Sequence, residues 1–171
     1  EHQEAIWQGI KDGTLQVIAT DHCSFDFHGD KQNGKDDFTK CPNGAPGVET
    51  RMPIVFSEGV SKGRLSLNEF AAVTSTNPAK IFGMYPKKGV LAPGSDADIV
   101  LMNPDMDVTI TKNILHENVD YTPYEGIQVK GWPVMTMVRG QAVVENERLQ
   151  VPLGFGRYIN RKPVKYTELL K

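Results

Sequence analysis

Residues 16–23 read Gln-Val-Ile-Ala-Thr-Asp-His-Cys, an apolar run that ends on an acid, Asp21, and leads into a glycine-rich loop. We interpret residues 16–20 as a β-strand, because helix-like sequence lies on both sides of this short apolar run. Barrels of alternating strands and helices carry their catalytic groups at the C-terminal ends of the strands. The pattern therefore predicts an α/β chain in which Asp21 stands at the edge of an active site whose other parts lie elsewhere.

The composition excludes some classes of partner. The chain has 171 residues, with 21 acidic and 19 basic side chains, so no charge excess points to nucleic acid or to a membrane surface. No run approaches the ~18 apolar residues of a membrane span. Two cysteines are too few for a disulfide framework, which favours a cytoplasmic location. The chain opens inside a predicted helix without an initiator Met, and we expect it to be a piece of a longer protein.

Helical segments are predicted in the first half of the chain. Apolar spacing predicts helices over 4–11 and 52–61, and Ser66 with Glu69 forms a capping box that starts another. Asn77 and Pro78 predict the start of a further short helix that ends at Gly83. The long loop over residues 22–47 is interpreted as a lid, a binding loop or a disordered segment.

The pattern becomes strand-like after Pro86. Strands are predicted at 98–102, 108–110, 134–138 and 141–145, with Arg139 and Gly140 as a tight hairpin turn. The chain thus divides into a part that alternates helix and strand (1–85), a part rich in short β-like runs (86–149) and a C-terminal tail (150–171).

Five segments occur in order along the chain: 20–23 (Thr-Asp-His-Cys), 34–40 (Gly-Lys-Asp-Asp-Phe-Thr-Lys), 42–49 (Pro-Asn-Gly-Ala-Pro-Gly-Val-Glu), 77–83 (Asn-Pro-Ala-Lys-Ile-Phe-Gly) and 94–100 (Gly-Ser-Asp-Ala-Asp-Ile-Val). Together they resemble the dihydropyrimidinase/hydantoinase family of cyclic amide hydrolases. The last segment alone would indicate only the wider amidohydrolase superfamily. Aligned in this way, the chain resembles the C-terminal third of such an enzyme. The resemblance implies the last βα units of the barrel (1–85), an accessory β-sandwich segment (86–149) and the C-terminal tail (150–171).

The resemblance implies a fold, a cofactor and a reaction. The fold class is the C-terminal part of a metal-dependent (β/α)8 barrel, with accessory β-sandwich strands and an extended tail. The implied cofactor is a binuclear zinc site built from several His, a carboxylated Lys and one Asp, and only the Asp is present here, as Asp21. The implied reaction opens the ring amide of hydantoins or dihydropyrimidines to N-carbamoyl amino acids. Asp21 would then be both a metal ligand and the general acid/base.

The resemblance also implies that Asn43 binds the imide edge of the substrate through main-chain hydrogen bonds. Each residue has a simpler interpretation: Asp21 as a turn or cap acid, and Asn43 as a turn residue before Gly44. We interpret His22 as a packed residue or one that supports the site, because the family's His ligands come from earlier strands. A separate zinc site from Cys23, His28 and Cys41, with Asp21 or His2, is a weaker alternative because the spacing matches no compact zinc motif.

The same family contains non-catalytic adaptors of the collapsin-response-mediator type, which are the main functional alternative. Those proteins usually lack the acid at the position of Asp21, so its presence favours an enzyme. The tail carries Phe155, Tyr158 and Ile159 among basic residues, and the resemblance implies that it contacts a neighbouring subunit. We therefore expect a homotetramer, with a frayed terminus as the alternative. The resemblance also implies a small cyclic amide or imide as the substrate.

Overall fold

Helices are the main regular structure in the first half of the chain in the computed structural model, which describes residues 2–164. Their bounds are His2–Lys11 (α1), Arg51–Val55 (α2, continued by π-helical turns over Phe56–Ser61), Leu67–Ala71 (α3, continued by π-helical turns over Ala72–Thr76) and Asn77–Ile81 (α4). Within the described part of the chain, no helix combines the length and the apolar character that a bilayer crossing requires.

The strand predicted at residues 16–20 is not formed. These residues lack strand pairing, and their backbone groups are bound by the helices instead. The Ile18 N–H donates to Val73 O at 3.2 Å, and the Gln16 carbonyl accepts from the Asn77 side chain at 2.9 Å. The Arg51 guanidinium donates to Ile18 O at 2.8 Å. A parallel strand needs neighbouring strands for its ladder, and residues 2–164 place none beside this segment.

The predicted helix at 52–61 is confirmed, although its second half has the wider π-helical hydrogen bonding. The Ser66 capping box is confirmed as well. The Glu69 N–H donates to the Ser66 hydroxyl at 3.2 Å, and the Ser66 N–H donates to the Glu69 carboxylate at 2.7 Å. Both pairs are local, so a short sequence determines them.

The short helix predicted from Asn77 is found as α4, but it ends at Ile81 and is not separate from the helical residues before it. Helical backbone continues from Leu67 through the π-helical turns to Ile81. Pro78 has no N–H to donate, and the widened turn just before it accommodates the missing bond. The Asn77 side chain binds Gln16 O and does not cap the helix.

The second half of the chain forms one antiparallel sheet of four strands in the order β1-β2-β3-β4. The strands are Ile99–Thr109 (β1), Gln128–Val138 (β2), Gln141–Glu145 (β3) and Arg148–Leu149 (β4). The hairpin is confirmed, with φ of 52° at Arg139 and 78° at Gly140. The two runs predicted at 98–102 and 108–110 contribute to one strand, β1, whose register shifts between Asn103 and Asp107, around Pro104. A second sheet, which a sandwich needs, is not found among the described residues.

The sheet packs directly on helix α2 and its continuation. Gly131 of β2 has φ of 97°, and a Cβ built on it would lie 2.3 Å from Cδ1 of Phe56. The Lys130 N–H donates to the Ser57 hydroxyl at 3.0 Å, and the Ser61 hydroxyl donates to Lys130 O at 3.1 Å. The helical part and the sheet are therefore held in one arrangement.

The described part of the tail, residues 150–164, has no regular secondary structure but docks on its own chain. The Arg139 guanidinium lies 4.4 Å from the Phe155 ring centroid and donates to Phe155 O at 2.9 Å. The Lys162 N–H donates to Gly83 O at 3.0 Å. Residues 165–171, the end of the predicted tail, lie outside the described residues.

Candidate active site

Asp21 follows the extended segment with a left-handed backbone, at φ of 49°. Left-handed backbone is uncommon outside glycine, and Asp is among the residues that tolerate it. The side chain is exposed, and its carboxylate makes no hydrogen bond within residues 2–164. Both carboxylate oxygens are therefore free of protein partners within the described residues and can bind a metal or accept a proton.

The turn at Asn43 lies beside the segment that carries Asp21. The Cys23 N–H donates to Ala45 O at 3.3 Å. Gly44 has φ of 118°, and a Cβ on it would lie 2.4 Å from the Cys23 carbonyl oxygen. The absence of a side chain at Gly44 thus lets the backbone of the turn touch the residues next to Asp21. The structure therefore brings Asp21 and Asn43, both predicted from sequence, into adjacent segments.

His22 also joins the same two segments. Its Nδ1 accepts from the Gly47 N–H at 3.1 Å and from the Val48 N–H at 3.3 Å. His22 therefore holds the loop that follows Asn43, which fits the interpretation of a residue that supports the site, whereas its exposure does not fit a packed residue.

Lys31 was missed by the sequence analysis. Its ammonium donates to Pro42 O and to Gly44 O, each at 2.5 Å, and it lies 5.4 Å from the ring centroid of Phe25. A lysine in a charged loop normally indicates a solvated surface, so no local signal pointed to this contact.

Glu117 is a second residue that the sequence did not reveal. Its side chain is only 6% exposed, and its Oε1 accepts from the Glu49 N–H at 3.2 Å and lies 3.7 Å from His22 Nδ1. The other oxygen, Oε2, is buried without a hydrogen-bond partner among the described residues. The sheet connection thus places a buried carboxylate behind His22.

The loop over residues 22–47 is ordered by an acid from the sheet connection. Asp120 accepts from the Phe27 N–H at 2.6 Å and from the His28 N–H at 2.9 Å. The His28 and Phe27 amides lower the pKa of the Asp120 carboxyl, because they stabilise its ionised form. The loop also contains short 3-10 turns over Lys31–Gly34 and Phe38–Lys40. Of the earlier alternatives, an ordered lid or binding loop fits and disorder does not.

The residues after the Asn43 turn are tied to the sheet by His116. Glu49 accepts from His116 Nδ1 and from the His116 N–H, both at 2.7 Å, and Glu147 O lies 3.0 Å from Nε2. The hydrogen bond to Glu49 is the main cause that raises the pKa of His116 above its ordinary value. Both ring nitrogens face acceptors, which favours the charged imidazolium.

The structure does not assemble a complete metal centre from this chain. Among the described residues, no group of three or more His, Cys, Asp or Glu side chains could hold an ion. The separate zinc site considered for Cys23, His28 and Cys41 is therefore not formed there, and both cysteines are free thiols.

Comparison with known proteins gives the class. The amidohydrolase family model matches residues 1–143, so the chain belongs to the amidohydrolase family. It is 47% identical over 169 residues to the D-hydantoinase of Geobacillus stearothermophilus, covering 99% of this chain and 36% of that protein. It is 46% identical over 161 residues to a D-phenylhydantoinase of Escherichia coli UTI89, covering 94% of this chain and 35% of that protein.

Solved structures agree with the sequence relatives. The dihydropyrimidinase from Brevibacillus agri NCHU1002 matches with a TM-score of 0.93 and 50% identity, covering 95% of this chain and 35% of that one. The L-hydantoinase from Arthrobacter aurescens matches with a TM-score of 0.82 and 40% identity, covering 91% and 34% respectively. The resemblance to the dihydropyrimidinase/hydantoinase family is confirmed, and these relatives lend no support to the adaptor alternative. The chain spans about a third of the length of these relatives, 34–36%.

Proposed function

We propose that this chain supplies the C-terminal part of a zinc-dependent cyclic amidohydrolase, which opens hydantoins or dihydropyrimidines to N-carbamoyl amino acids. The observation that carries the proposal is the unpartnered Asp21 carboxylate held beside the Asn43 turn. In this proposal residues 1–85 complete a barrel, residues 86–149 belong to an accessory β-sandwich and residues 150–171 form the tail. Two free cysteines suit the cytoplasm as its location.

Asp21 would move the proton. Opening a ring amide requires a water to lose a proton as it attacks the carbonyl carbon, and the ring nitrogen to gain one as the C–N bond breaks. An exposed carboxylate beside the substrate can accept the first proton and return it to the nitrogen. A positioned proton carrier of this kind contributes about 10²–10⁴ in rate.

Asp21 also fits a place in a metal site. Its carboxylate is exposed and free of hydrogen bonds within residues 2–164, so it can act as a ligand without breaking a contact. Zinc, when bound, would polarise the ring carbonyl and make water a stronger nucleophile at neutral pH. Since the described residues hold no further cluster of ligands, the other ligands would come from the rest of the longer enzyme.

Asn43 would orient the substrate. Its backbone N–H and C=O make no hydrogen bond within residues 2–164, and the turn that carries them is exposed. A cyclic imide presents alternating acceptors and donors along one edge, and free backbone groups on a rigid turn can pair with that edge. The interpretation of Asn43 as a turn residue holds as well, because the contact requires the turn.

The experiment that tests the function uses the full-length protein. Hydantoin and dihydrouracil are incubated with the zinc-loaded enzyme, and the N-carbamoyl products are quantified by chromatography. Ring opening of either substrate, lost on chelation and restored by zinc, would support the proposal. Absence of both activities in a zinc-loaded, folded protein would refute it.

The isolated 171-residue chain gives a separate prediction. We expect it to bind zinc only weakly and to hydrolyse neither substrate, because one carboxylate cannot organise two metal ions. Zinc titration by calorimetry and the same product assay measure this. Tight stoichiometric binding by the isolated chain would contradict the assignment of the remaining ligands to the rest of the enzyme.

We also propose that the full-length protein is a homotetramer held in part by the tail. The tail docks on its own chain through Phe155 and Lys162, yet Leu153 is 95% exposed and Tyr158 is 86% exposed. Exposed apolar and aromatic side chains on a docked segment are suited to contact a second subunit.

Deleting residues 154–171 from the full-length protein is expected to shift it from tetramer toward smaller species. Because the deletion also removes contacts within the chain, a second variant, L153S with Y158S, changes only the exposed side chains. Both proteins are measured by sedimentation velocity, with R157S as a control on a neighbouring exposed position. The deletion variant could dissociate while the double variant keeps the sedimentation coefficient of the wild type. That result would mean that Leu153 and Tyr158 do not form the interface.

A further inference from the structure

We infer that Lys31 is a positioning residue for substrate binding, because its ammonium holds the two carbonyls that flank Asn43. The inference rests on the proposed function and adds a residue that prepares the Asn43 turn. The Lys31 ammonium donates to Pro42 O and to Gly44 O, each at 2.5 Å.

The direction of these bonds determines which groups the turn presents. In a trans peptide the carbonyl and the following N–H point in opposite directions. Because Pro42 O faces Lys31, the Asn43 N–H faces away from it, and the Ala45 N–H is turned away by the Gly44 contact. Neither N–H is used in a hydrogen bond within residues 2–164. Lys31 therefore leaves two donors free on the far side of the turn.

The Lys31 ammonium has no competing charged partner. It forms no ion pair with a carboxylate in the described part of the chain, and it lies 5.4 Å from the centroid of the Phe25 ring. Residue 31 is also anchored through its backbone, since the Lys31 N–H donates to Asp26 O at 3.1 Å. Asp120 in turn holds the adjacent Phe27 and His28 amides. The loop over residues 22–47, called the lid below, thus holds the Lys31 ammonium in a fixed position.

Lysine suits the contact better than arginine. A compact ammonium carries three donors and can bridge two carbonyls on one side of a turn, whereas the planar guanidinium fork is shaped for a carboxylate. We therefore expect Lys31→Arg to raise KM, but by less than Lys31→Met does. Lys35 is the matched control, because it is an exposed lysine in the same lid with no side-chain partner among the described residues.

The test is made in the zinc-loaded full-length enzyme with hydantoin and dihydrouracil. Lys31→Met should raise KM about 10-fold with kcat within about 3-fold, since a lost binding contact acts on ground state and transition state alike. Lys35→Met should change neither constant. Hydrogen exchange of the 42–48 segment should accelerate in Lys31→Met and not in Lys35→Met, and this readout does not depend on activity.

The outcomes separate the two proposals. A folded wild-type enzyme without ring-opening activity would refute the proposed function, and the role of Lys31 in substrate binding with it. An active wild type whose Lys31→Met variant keeps its KM, or loses only kcat, would overturn the role of Lys31 while leaving the function intact. Unchanged hydrogen exchange of residues 42–48 in Lys31→Met would overturn the role in every case.

Discussion

Asp21→Asn in the full-length protein is expected to lower kcat about 100-fold or more, because the amide cannot accept the proton that the Asp21 carboxylate is proposed to carry. The melting temperature should change little, since the Asp21 carboxylate makes no hydrogen bond within residues 2–164. Steady-state kinetics on hydantoin and dihydrouracil, with differential scanning calorimetry, measure both effects. Zinc content is determined in parallel, because Asp21 is also proposed as a ligand.

Asp36→Asn provides the control for this change. Asp36 is an exposed acid of the same lid without a side-chain hydrogen bond among the described residues, so the same substitution there should leave kcat unchanged. Near-normal turnover of the Asp21→Asn enzyme would remove Asp21 from the mechanism.

Gly44→Ala is expected to lower kcat/KM about 100-fold, since displacement of a positioning group by about 1 Å can cost that much. The new Cβ would lie 2.4 Å from the Cys23 carbonyl oxygen and 2.7 Å from Cys23 Cβ. Backbone cannot yield as a flexible side chain does, so the Asn43 turn must move away from the segment that carries Asp21. Alanine is also strained at φ of 118°, which costs about 1–3 kcal/mol.

Gly29→Ala separates the effect of the contact with Cys23 from the effect of backbone strain. Gly29 lies in the same lid with φ of 100°, and a Cβ there would meet no atom within 4 Å. It should therefore lower the melting temperature through backbone strain while leaving kcat/KM nearly unchanged. Equal kinetic losses in the two variants would show that strain in the lid, and not the contact between Gly44 and Cys23, controls the site.

Features that depend on a few neighbouring residues were predictable. The Ser66–Glu69 capping box and the Arg139–Gly140 hairpin are closed by contacts between residues close in sequence, and both are confirmed. The family resemblance could also be recognised from sequence, because its motifs are continuous segments, and the comparisons confirm it. Each of these features depends on residues that are close together in the sequence.

Sequence predictions failed where contacts with a distant segment, and not local preference, determined the backbone structure. Residues 16–20 have strand-like composition but bind helical residues, because no neighbouring strand is present among the described residues. Asn77 and Pro78 have the composition of a helix start, yet helical backbone continues through them from Leu67. Propensity is a weak preference that tertiary contacts override.

By itself the sequence determined the residue types of the candidate site: an acid after an apolar run at Asp21 and a turn at Asn43. Only the tertiary structure decided that these residues lie on adjacent segments, through the Gly44 contact with Cys23 and the His22 bonds to the following loop. It also revealed Lys31 and Glu117, whose partners lie far along the chain. The physical reason is that a hydrogen bond or a close contact depends on distance in space, which short-range sequence patterns do not record.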